Sequence, residues 1–307
     1  MKKILTVLII CIVALSCKNL EKEKKENLTE TIFQEIKNDD YELYIPSRNT
    51  KAVLVLFGGF PETPEDVKRE FKILEDAKNN NIAVLFMNYS RKIWLEQEEK
   101  LQLSEHLKTI FKQNELPKNN IYIGGFSSGG NMALLISNFL TNEVLDMKPK
   151  GVFIVDSPID LEQLYNTAEK NIKLNFSESA VQESTWLIET LGTKFGNPNE
   201  DISKYLKYSV FNSNTENIDN LKSLKKTKIR FYTEPDTLWW KKTKKADYEH
   251  TNAYYIKKLT ETLNKLEFKD VEYIPTVNKG YRANGERHPH SWAIVDKKNL
   301  INWMLNK

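Results

Sequence analysis

A serine inside a glycine-rich run is the residue whose surroundings point most directly to chemistry. The run GGFSSGG occupies residues 124–130 and places Ser127 in the pattern G-x-S-x-G. The apolar residues from 121 predict a strand before the run, and residues 131–139 carry apolar side chains at helical spacing after it. A tight turn between a strand and a helix presents a serine hydroxyl, and small neighbours permit the close approach of backbone. The pattern therefore predicts Ser127 as a nucleophile.

A phosphate-binding loop is the competing interpretation of the same run, because glycines before a helix also bind anions through backbone N–H groups. The run lacks the G-K-[ST] ending of a P-loop, and it does not match the pattern G-x-G-x-x-G. A strand before the run and a helix after it are the context that a nucleophilic serine requires. These features favour the nucleophile.

Two neighbouring histidines are the candidates for the base that a serine hydroxyl needs. The chain has four histidines, and two of them, His288 and His290, lie in the sequence HPHSW after the last predicted strand. A metal pair is the alternative for this H-x-H arrangement, but no histidine or cysteine nearby completes such a site. Both histidines are therefore candidates for the base, and the sequence predicts no metal and no cofactor.

Three carboxylates follow predicted strands and are candidates to orient that base. Glu234 and Asp236 lie in the loop TEPD after the strand over residues 228–232. Asp156 follows the strand over residues 151–155, where its simplest role is to cap the next helix. A glycine pair, Gly58 and Gly59, follows the strand over residues 52–57, and by itself it indicates only a tight turn.

The order of these landmarks resembles that of the α/β-hydrolase superfamily, from about residue 41 to the C-terminus. The family often places its aspartate three residues beyond a glycine at a strand end. Thr233 occupies the position of that glycine here, so the aspartate would be Asp236. The family's catalytic histidine follows the last strand and often stands in the pattern H-S-W or H-x-W, which His290 matches. The resemblance therefore implies Ser127, Asp236 and His290 as the catalytic triad, with His288, Glu234 and Asp156 in reserve.

The same resemblance implies an oxyanion hole made by backbone N–H groups. Its donors would be Ser128 and either Gly59 or Phe60, in the loop where the family carries its HGGG-type motif. Phe57 replaces the usual histidine of that motif, and this change leaves the backbone donors in place.

The N-terminus has the pattern of an export signal. Two lysines precede an apolar run over residues 4–15, which is shorter than the ~20 residues of a membrane-spanning helix and has the length of a signal-peptide core. Residues 14–17, ALSC, resemble a bacterial lipobox, in which the cysteine is diacylated and becomes the first mature residue. An ordinary secretory signal or an uncleaved anchor is the alternative.

This pattern predicts three segments along the chain. Residues 1–16 are a signal peptide, residues 17–30 are a lipidated Cys17 with a charged tether, and residues 31–307 are the folded domain. The predicted location is the bacterial cell envelope, with the protein anchored to a membrane through its lipid. Both cysteines lie within the first seventeen residues, so the folded domain contains no thiol.

Alternating strands and helices predict a three-layer α/β sandwich with a mostly parallel sheet. A hairpin is expected over residues 31–45, and the cap insertion over residues 157–227, which carries helical patterns but no strand, is expected to cover one edge of the sheet. The other strands are predicted at residues 52–57, 82–87, 121–123, 151–155, 228–232 and 271–274, and helices at 94–113, 131–139, 254–266 and 291–305.

Composition narrows the function of the 307-residue chain. Charged residues make up 28% of it and mean hydropathy is −0.53, which excludes a multi-pass membrane protein. A formal charge of +3 gives no reason to expect a nucleic-acid partner. The leading hypothesis is a serine hydrolase that cleaves carboxylic esters through an acyl-Ser127 intermediate.

The substrate class has one weak indication. Residues 195–209 are similar to a segment of carbohydrate-acyl and feruloyl-type esterases and of prolyl-oligopeptidase-like enzymes. A small-molecule or carbohydrate-linked ester is therefore the expected substrate. A serine peptidase and a non-catalytic binding module are the alternatives.

Overall fold

Eight strands form one sheet in the computed structural model, which describes residues 32–89, 91–144 and 146–306. The strand order is β1-β2-β4-β3-β5-β6-β7-β8. The predicted signal peptide, Cys17 and the tether lie outside the described residues. The strands are β1 Phe33–Lys37, β2 Tyr41–Pro46, β3 Ala52–Phe57, β4 Ile82–Met87, β5 Ile121–Phe126, β6 Gly151–Val155, β7 Lys228–Thr233 and β8 Val271–Pro275.

The sheet is parallel except at one end, which confirms the predicted fold class. Strands β1 and β2 form the expected antiparallel hairpin, and β2 also runs antiparallel to β4. The other six strands, in the sheet order β4-β3-β5-β6-β7-β8, are all parallel to their neighbours. The carboxyl ends of these parallel strands therefore lie along one edge of the sheet, where binding sites of open α/β sheets form.

Helices connect the parallel strands and cover both faces of the sheet. In the described part of the chain, none of them is long and apolar enough to cross a membrane. They are α1 Pro64–Phe71, α2 Leu74–Asn79, α3 Gln97–Gln113, α4 Ser128–Glu143, α5 Leu161–Leu174, α6 Glu178–Phe195, α7 Ser203–Tyr208, α8 Thr237–Trp239, α9 Asn252–Lys265 and α10 Lys297–Leu305.

Local sequence signals explain where two of these helices begin. Thr63 caps α1, with Pro64 in the first turn and reciprocal hydrogen bonds between Thr63 and Asp66 that complete a capping box. The closing helix begins later than residue 291, because the Asp296 side chain accepts a hydrogen bond from the Asn299 N–H and starts α10 there. A separate 3₁₀ turn, Trp292–Ile294, precedes it.

The continuous apolar runs of the central strands bury both faces of the sheet. Along β3, Val53 and Val55 pack into one core cluster, whereas Leu54 and Leu56 pack into the other. Successive side chains of a strand point to opposite faces, so both clusters draw on the same six residues. This packing fixes the positions of the strand ends that carry the site.

The helical insertion between β6 and β7 has two parts. Helices α5, α6 and α7 form a small core of their own, which includes Tyr165, Phe195 and Tyr205. The segment after them, with Phe211 and Leu221, packs instead into one of the two sheet clusters. The cap proper is therefore shorter than the predicted range 157–227.

Candidate active site

The turn after β5 holds Ser127 in a strained conformation. Ser127 has φ 51° and ψ −129°, a left-handed backbone that non-glycine residues rarely adopt. A Cβ on Gly125 would lie 2.1 Å from the Gly129 carbonyl oxygen, and a Cβ on Gly129 would lie 2.3 Å from the Phe57 carbonyl oxygen. Both glycines are therefore required for the turn, and the strain of about 1–3 kcal/mol is typical of functional sites.

The end of the neighbouring strand β6 holds an aspartate in a matching position. Phe126 and Val155 are register partners, so Ser127 and Asp156 are the next residues on adjacent strands. The Ser127 N–H donates to the Val155 carbonyl at 2.9 Å. Asp156 also has a positive φ, 47°, and its carboxylate is buried. Two adjacent strand ends thus turn out of the sheet together.

His290 binds this aspartate directly. The His290 Nδ1 lies 2.6 Å from Asp156 Oδ2, and Asp156 is only 3% exposed. The His290 ring packs on Phe126, the residue before Ser127, with ring centroids 4.4 Å apart. Asp156 is therefore the carboxylate that orients the predicted base, and both His290 and Ser127 line one cavity.

The prediction that Asp236 orients His290 is wrong in this geometry. Asp236 Oδ2 accepts a hydrogen bond from Arg287 at 2.7 Å, and its other oxygen caps α8 at the Trp239 N–H. Glu234, the runner-up, pairs with the same arginine at 2.5 Å and accepts backbone N–H groups of the 276–280 loop. Arg287 thus neutralises both carboxylates of the TEPD loop.

Sequence reasoning missed Arg287, which lies three residues before His290. The signal that could have indicated its role is a positive charge close to the predicted base, since an arginine there can pair with carboxylates of a neighbouring loop. The pair with Asp236 spans 51 residues, so no local pattern connects the two.

The reserve base, His288, is buried against the loop that carries His290. Burial is the main cause that lowers the pKa of His288, to about 3, so the ring stays neutral near pH 7. Its Nδ1 lies 3.0 Å from the His290 carbonyl oxygen, and its ring contacts Trp239 edge-on. This ring therefore supports the loop that carries His290.

The predicted oxyanion donors are used differently in the structure. The Gly59 N–H donates to Glu62 Oε2 at 2.8 Å, a partner within its own loop. The Phe60 N–H donates to Ser128 Oγ at 3.0 Å, and this contact places it beside the nucleophile turn. Phe60 is thus the member of the predicted pair that lies next to Ser127.

Glu62 is a partly buried carboxylate at the edge of the site that sequence reasoning also missed. Its Oε2 accepts the Trp292 indole N–H at 3.2 Å as well as the Gly59 N–H, and burial raises the pKa of Glu62. These bonds join the loop after β3 to the segment that follows His290. Glu62 therefore holds two walls of the site together.

Two cavities meet at Ser127. The larger has a volume of about 610 Å³, and its walls include His288, His290 and Trp240. The smaller has a volume of about 360 Å³ and is lined by Ser127, Ser128, Glu183 and apolar side chains that include Ile93 and Trp186. Phe60 borders both and stacks on Trp186, with centroids 4.5 Å apart. The volumes fall in the range of small-molecule sites.

Within residues 32–89, 91–144 and 146–306, no group of three or more His, Cys, Asp or Glu side chains is placed to hold a metal ion.

Comparison with solved structures identifies the fold. The chain is similar to the Francisella virulence factor BioJ at 15% sequence identity and a TM-score of 0.51, which covers 91% of this chain and 85% of BioJ. It is similar to an esterase of Pyrococcus furiosus at 13% identity and a TM-score of 0.50, covering 90% of each chain. An α/β hydrolase of Vibrio vulnificus matches at 14% identity and 0.50, covering 91% of this chain and 80% of that one.

These similarities, together with the strand order, show that the chain has the α/β-hydrolase fold. No family model matches the chain, and no curated protein sequence matches it significantly. At such identities the likeness extends to the fold and leaves the reaction to be argued from the site.

Proposed function

We propose that this protein is a serine hydrolase that cleaves carboxylic esters. The observation that carries the proposal is the position of Ser127 and Asp156 at the ends of adjacent strands, with His290 Nδ1 2.6 Å from Asp156 Oδ2 and with His290 and Ser127 on the wall of one cavity. A nucleophile, a base and a buried carboxylate in this arrangement are the parts that acyl transfer requires. The esterase and hydrolase among the similar structures agree with it.

The Asp156 contact sets the tautomer of the base. A hydrogen bond from Nδ1–H to the carboxylate leaves Nε2 without a proton, and Nε2 is then free to accept the proton of the Ser127 hydroxyl. Ser127 Oγ attacks the ester carbonyl, and His290 returns the proton to the leaving alcohol. Water, activated by the same Nε2, then releases the acid from the acyl-Ser127 intermediate.

The two cavities divide the substrate between them. The leaving alcohol must lie on the side of Ser127 where His290 can protonate it, and His290 lines only the larger cavity. The smaller cavity, lined by Ser128 and by apolar side chains such as Ile93, is then the site of the acyl group. Its largely apolar walls favour an acyl group without charge.

Fluorophosphonate labelling tests this proposal. The wild type should be labelled and the Ser127→Ala variant should not, and short-chain 4-nitrophenyl esters should be turned over only by the wild type. An unlabelled, folded wild type would overturn the proposal. Labelling without turnover of any ester, but with cleavage of peptides, would instead assign a peptidase. Labelling without cleavage of either substrate would point to a binding module.

We further propose that the protein is exported and anchored to a membrane of the cell envelope through lipid on Cys17. The proposal rests on the charged start, the short apolar run and the ALSC sequence of residues 14–17. Cys17→Ser should move the protein from the membrane to the soluble fraction and abolish labelling by a palmitate analogue. Unchanged partitioning would contradict lipid attachment, and Cys11→Ser is the matched control.

A further inference from the structure

Two cations line the larger cavity without an acidic partner. Lys244 and Arg282 both border this cavity, and among the described residues neither takes part in an ion pair. Lys244 is partly buried, whereas its neighbours Lys241 and Lys242 are exposed. A partly buried ammonium loses hydration and gains stability from an anion, so an unpartnered one at a cavity wall indicates a binding role.

Both cations lie on the side of the base. Burial is the largest cause that lowers the pKa of His288, and the charges of His290, Arg282 and Lys244 lower it further. The two cations are therefore within electrostatic reach of the ring that lies two residues before His290 in the chain. They line the same cavity as His290, the cavity that receives the leaving alcohol.

Three of the four carboxylates on this cavity already have partners. Asp66 and Glu70 both pair with Arg69, at 2.7 and 3.2 Å. Glu62 accepts two N–H groups, and burial raises its pKa. The fourth, Glu183, is exposed and also lines the smaller cavity.

The loop that carries Arg282 is fixed over the cavity. The N–H of the next residue, Ala283, donates to Glu70 Oε2 at 2.8 Å, and this bond attaches the loop to α1. The loop also closes on itself, because the Arg282 N–H donates to the Glu286 carbonyl at 2.9 Å. Arg282 is thus presented at the rim by a positioned backbone.

We propose that the alcohol released by this enzyme carries a negative charge, which Lys244 and Arg282 bind. The substrate class is an ester between an uncharged acyl group and an alcohol that bears a carboxylate, phosphate or sulfate. The inference rests on the proposed esterase function. Ser127 takes the acyl group, the anionic alcohol leaves with the proton from His290, and water later releases the acid, so atoms and charge balance.

Two fluorogenic esters test the inference. Both are butanoates: one of 7-hydroxycoumarin-3-carboxylate, which is anionic, and one of 7-hydroxy-4-methylcoumarin, which is neutral. The measured quantity is the ratio of kcat/KM for the anionic ester to that for the neutral ester. Because each variant is compared with the wild type, intrinsic differences in leaving-group reactivity cancel.

The ratio should fall about fivefold in Lys244→Ala and in Arg282→Ala, the upper end for an ion pair near the surface. It should fall further in the double variant than in either single variant. The matched control is Lys242→Ala, which removes the same charge from the same segment but not from the cavity. This control should leave the ratio unchanged. Salt at 0.5 M should reduce the wild-type ratio but have less effect on the double variant.

An unchanged ratio in the double variant, with both esters still hydrolysed, would overturn the anionic substrate while the esterase proposal stood. An equal fall of the ratio in Lys242→Ala would show that the effect comes from long-range charge and not from binding in the cavity. That result would also overturn the inference. A folded protein that turned over neither ester and took no fluorophosphonate would overturn the proposed function, and this inference with it.

Discussion

Replacement of Asp156 by asparagine should nearly abolish turnover. Asparagine keeps the size of the side chain but loses the charge and can turn its NH₂ group toward His290 Nδ1, 2.6 Å away in the native contact. The imidazole would then carry its proton on Nε2 and could no longer accept one from Ser127. In a serine–histidine–aspartate arrangement this exchange of tautomers costs about 10⁴ in kcat.

The burial of Asp156, 3% exposed, supports a loss at that upper end, since water cannot replace the carboxylate as partner. A loss of about 10³ to 10⁴ corresponds to roughly 4–5.5 kcal/mol of transition-state stabilisation. The assay is kcat/KM with 4-nitrophenyl butanoate and the rate of fluorophosphonate labelling, together with thermal unfolding to show that the variant is folded.

Asp236→Asn is the matched control, because it removes the same charge from the carboxylate that pairs with Arg287. The activity of this variant should change less than about threefold, because Asp236 pairs with Arg287 and does not contact His290. A fully active Asp156→Asn variant together with an Asp236→Asn variant that lost about 10³ would refute this reasoning and restore the acid predicted from sequence.

Three further outcomes follow from the packing. Thr63→Ala should lower the free energy of unfolding by about 1 kcal/mol in urea denaturation, because it removes the side-chain half of the α1 capping box, whereas a change below 0.3 kcal/mol would count against that cap. Trp186→Ala should enlarge the smaller cavity and raise the kcat/KM ratio of hexanoate to butanoate esters by about fourfold for each methylene newly buried; an unchanged ratio would remove the acyl group from that cavity. Burial raises the pKa of the Asp160 carboxyl to about 6, above the ordinary 3.8. The folded state therefore binds more protons than the unfolded state between pH 4 and pH 6. The free energy of unfolding should fall as pH rises through that window, by about 3 kcal/mol in all. Denaturation at pH 4 and pH 7 should show this loss in the wild type but not in Asp160→Asn, and equal pH dependence in both would show that Asp160 does not titrate there.

Most of the framework was predictable because it depends on local patterns. The six-residue apolar run of β3 can be satisfied only by burial on both faces, and the serine turn needs glycine where another backbone passes within about 3 Å of a Cβ position. Such features depend only on residues that are close together in the sequence. Ser127 belongs to this group, since it directly follows β5.

The identity of the acid was less accessible, because it depends on contacts between distant loops. Asp156 and Asp236 both follow parallel strands, and what separates them is Arg287, which binds Asp236 across 51 residues. The role of Glu62 depends on distance in the same way, because its carboxylate accepts the indole N–H of Trp292, 230 residues further along the chain. Side-chain pairing within a loop cluster has no periodicity that a sequence could display.

The central claim is that Ser127 carries the acyl group, and trapping that intermediate tests it most directly. The wild type would be mixed with excess 4-nitrophenyl butanoate, quenched in acid within milliseconds, digested and mapped by mass spectrometry. A butanoyl group on the peptide that contains Ser127, absent from Ser127→Ala, is the predicted result. Hydrolysis of the ester with no adduct at Ser127, or with the adduct on another residue, would contradict the account.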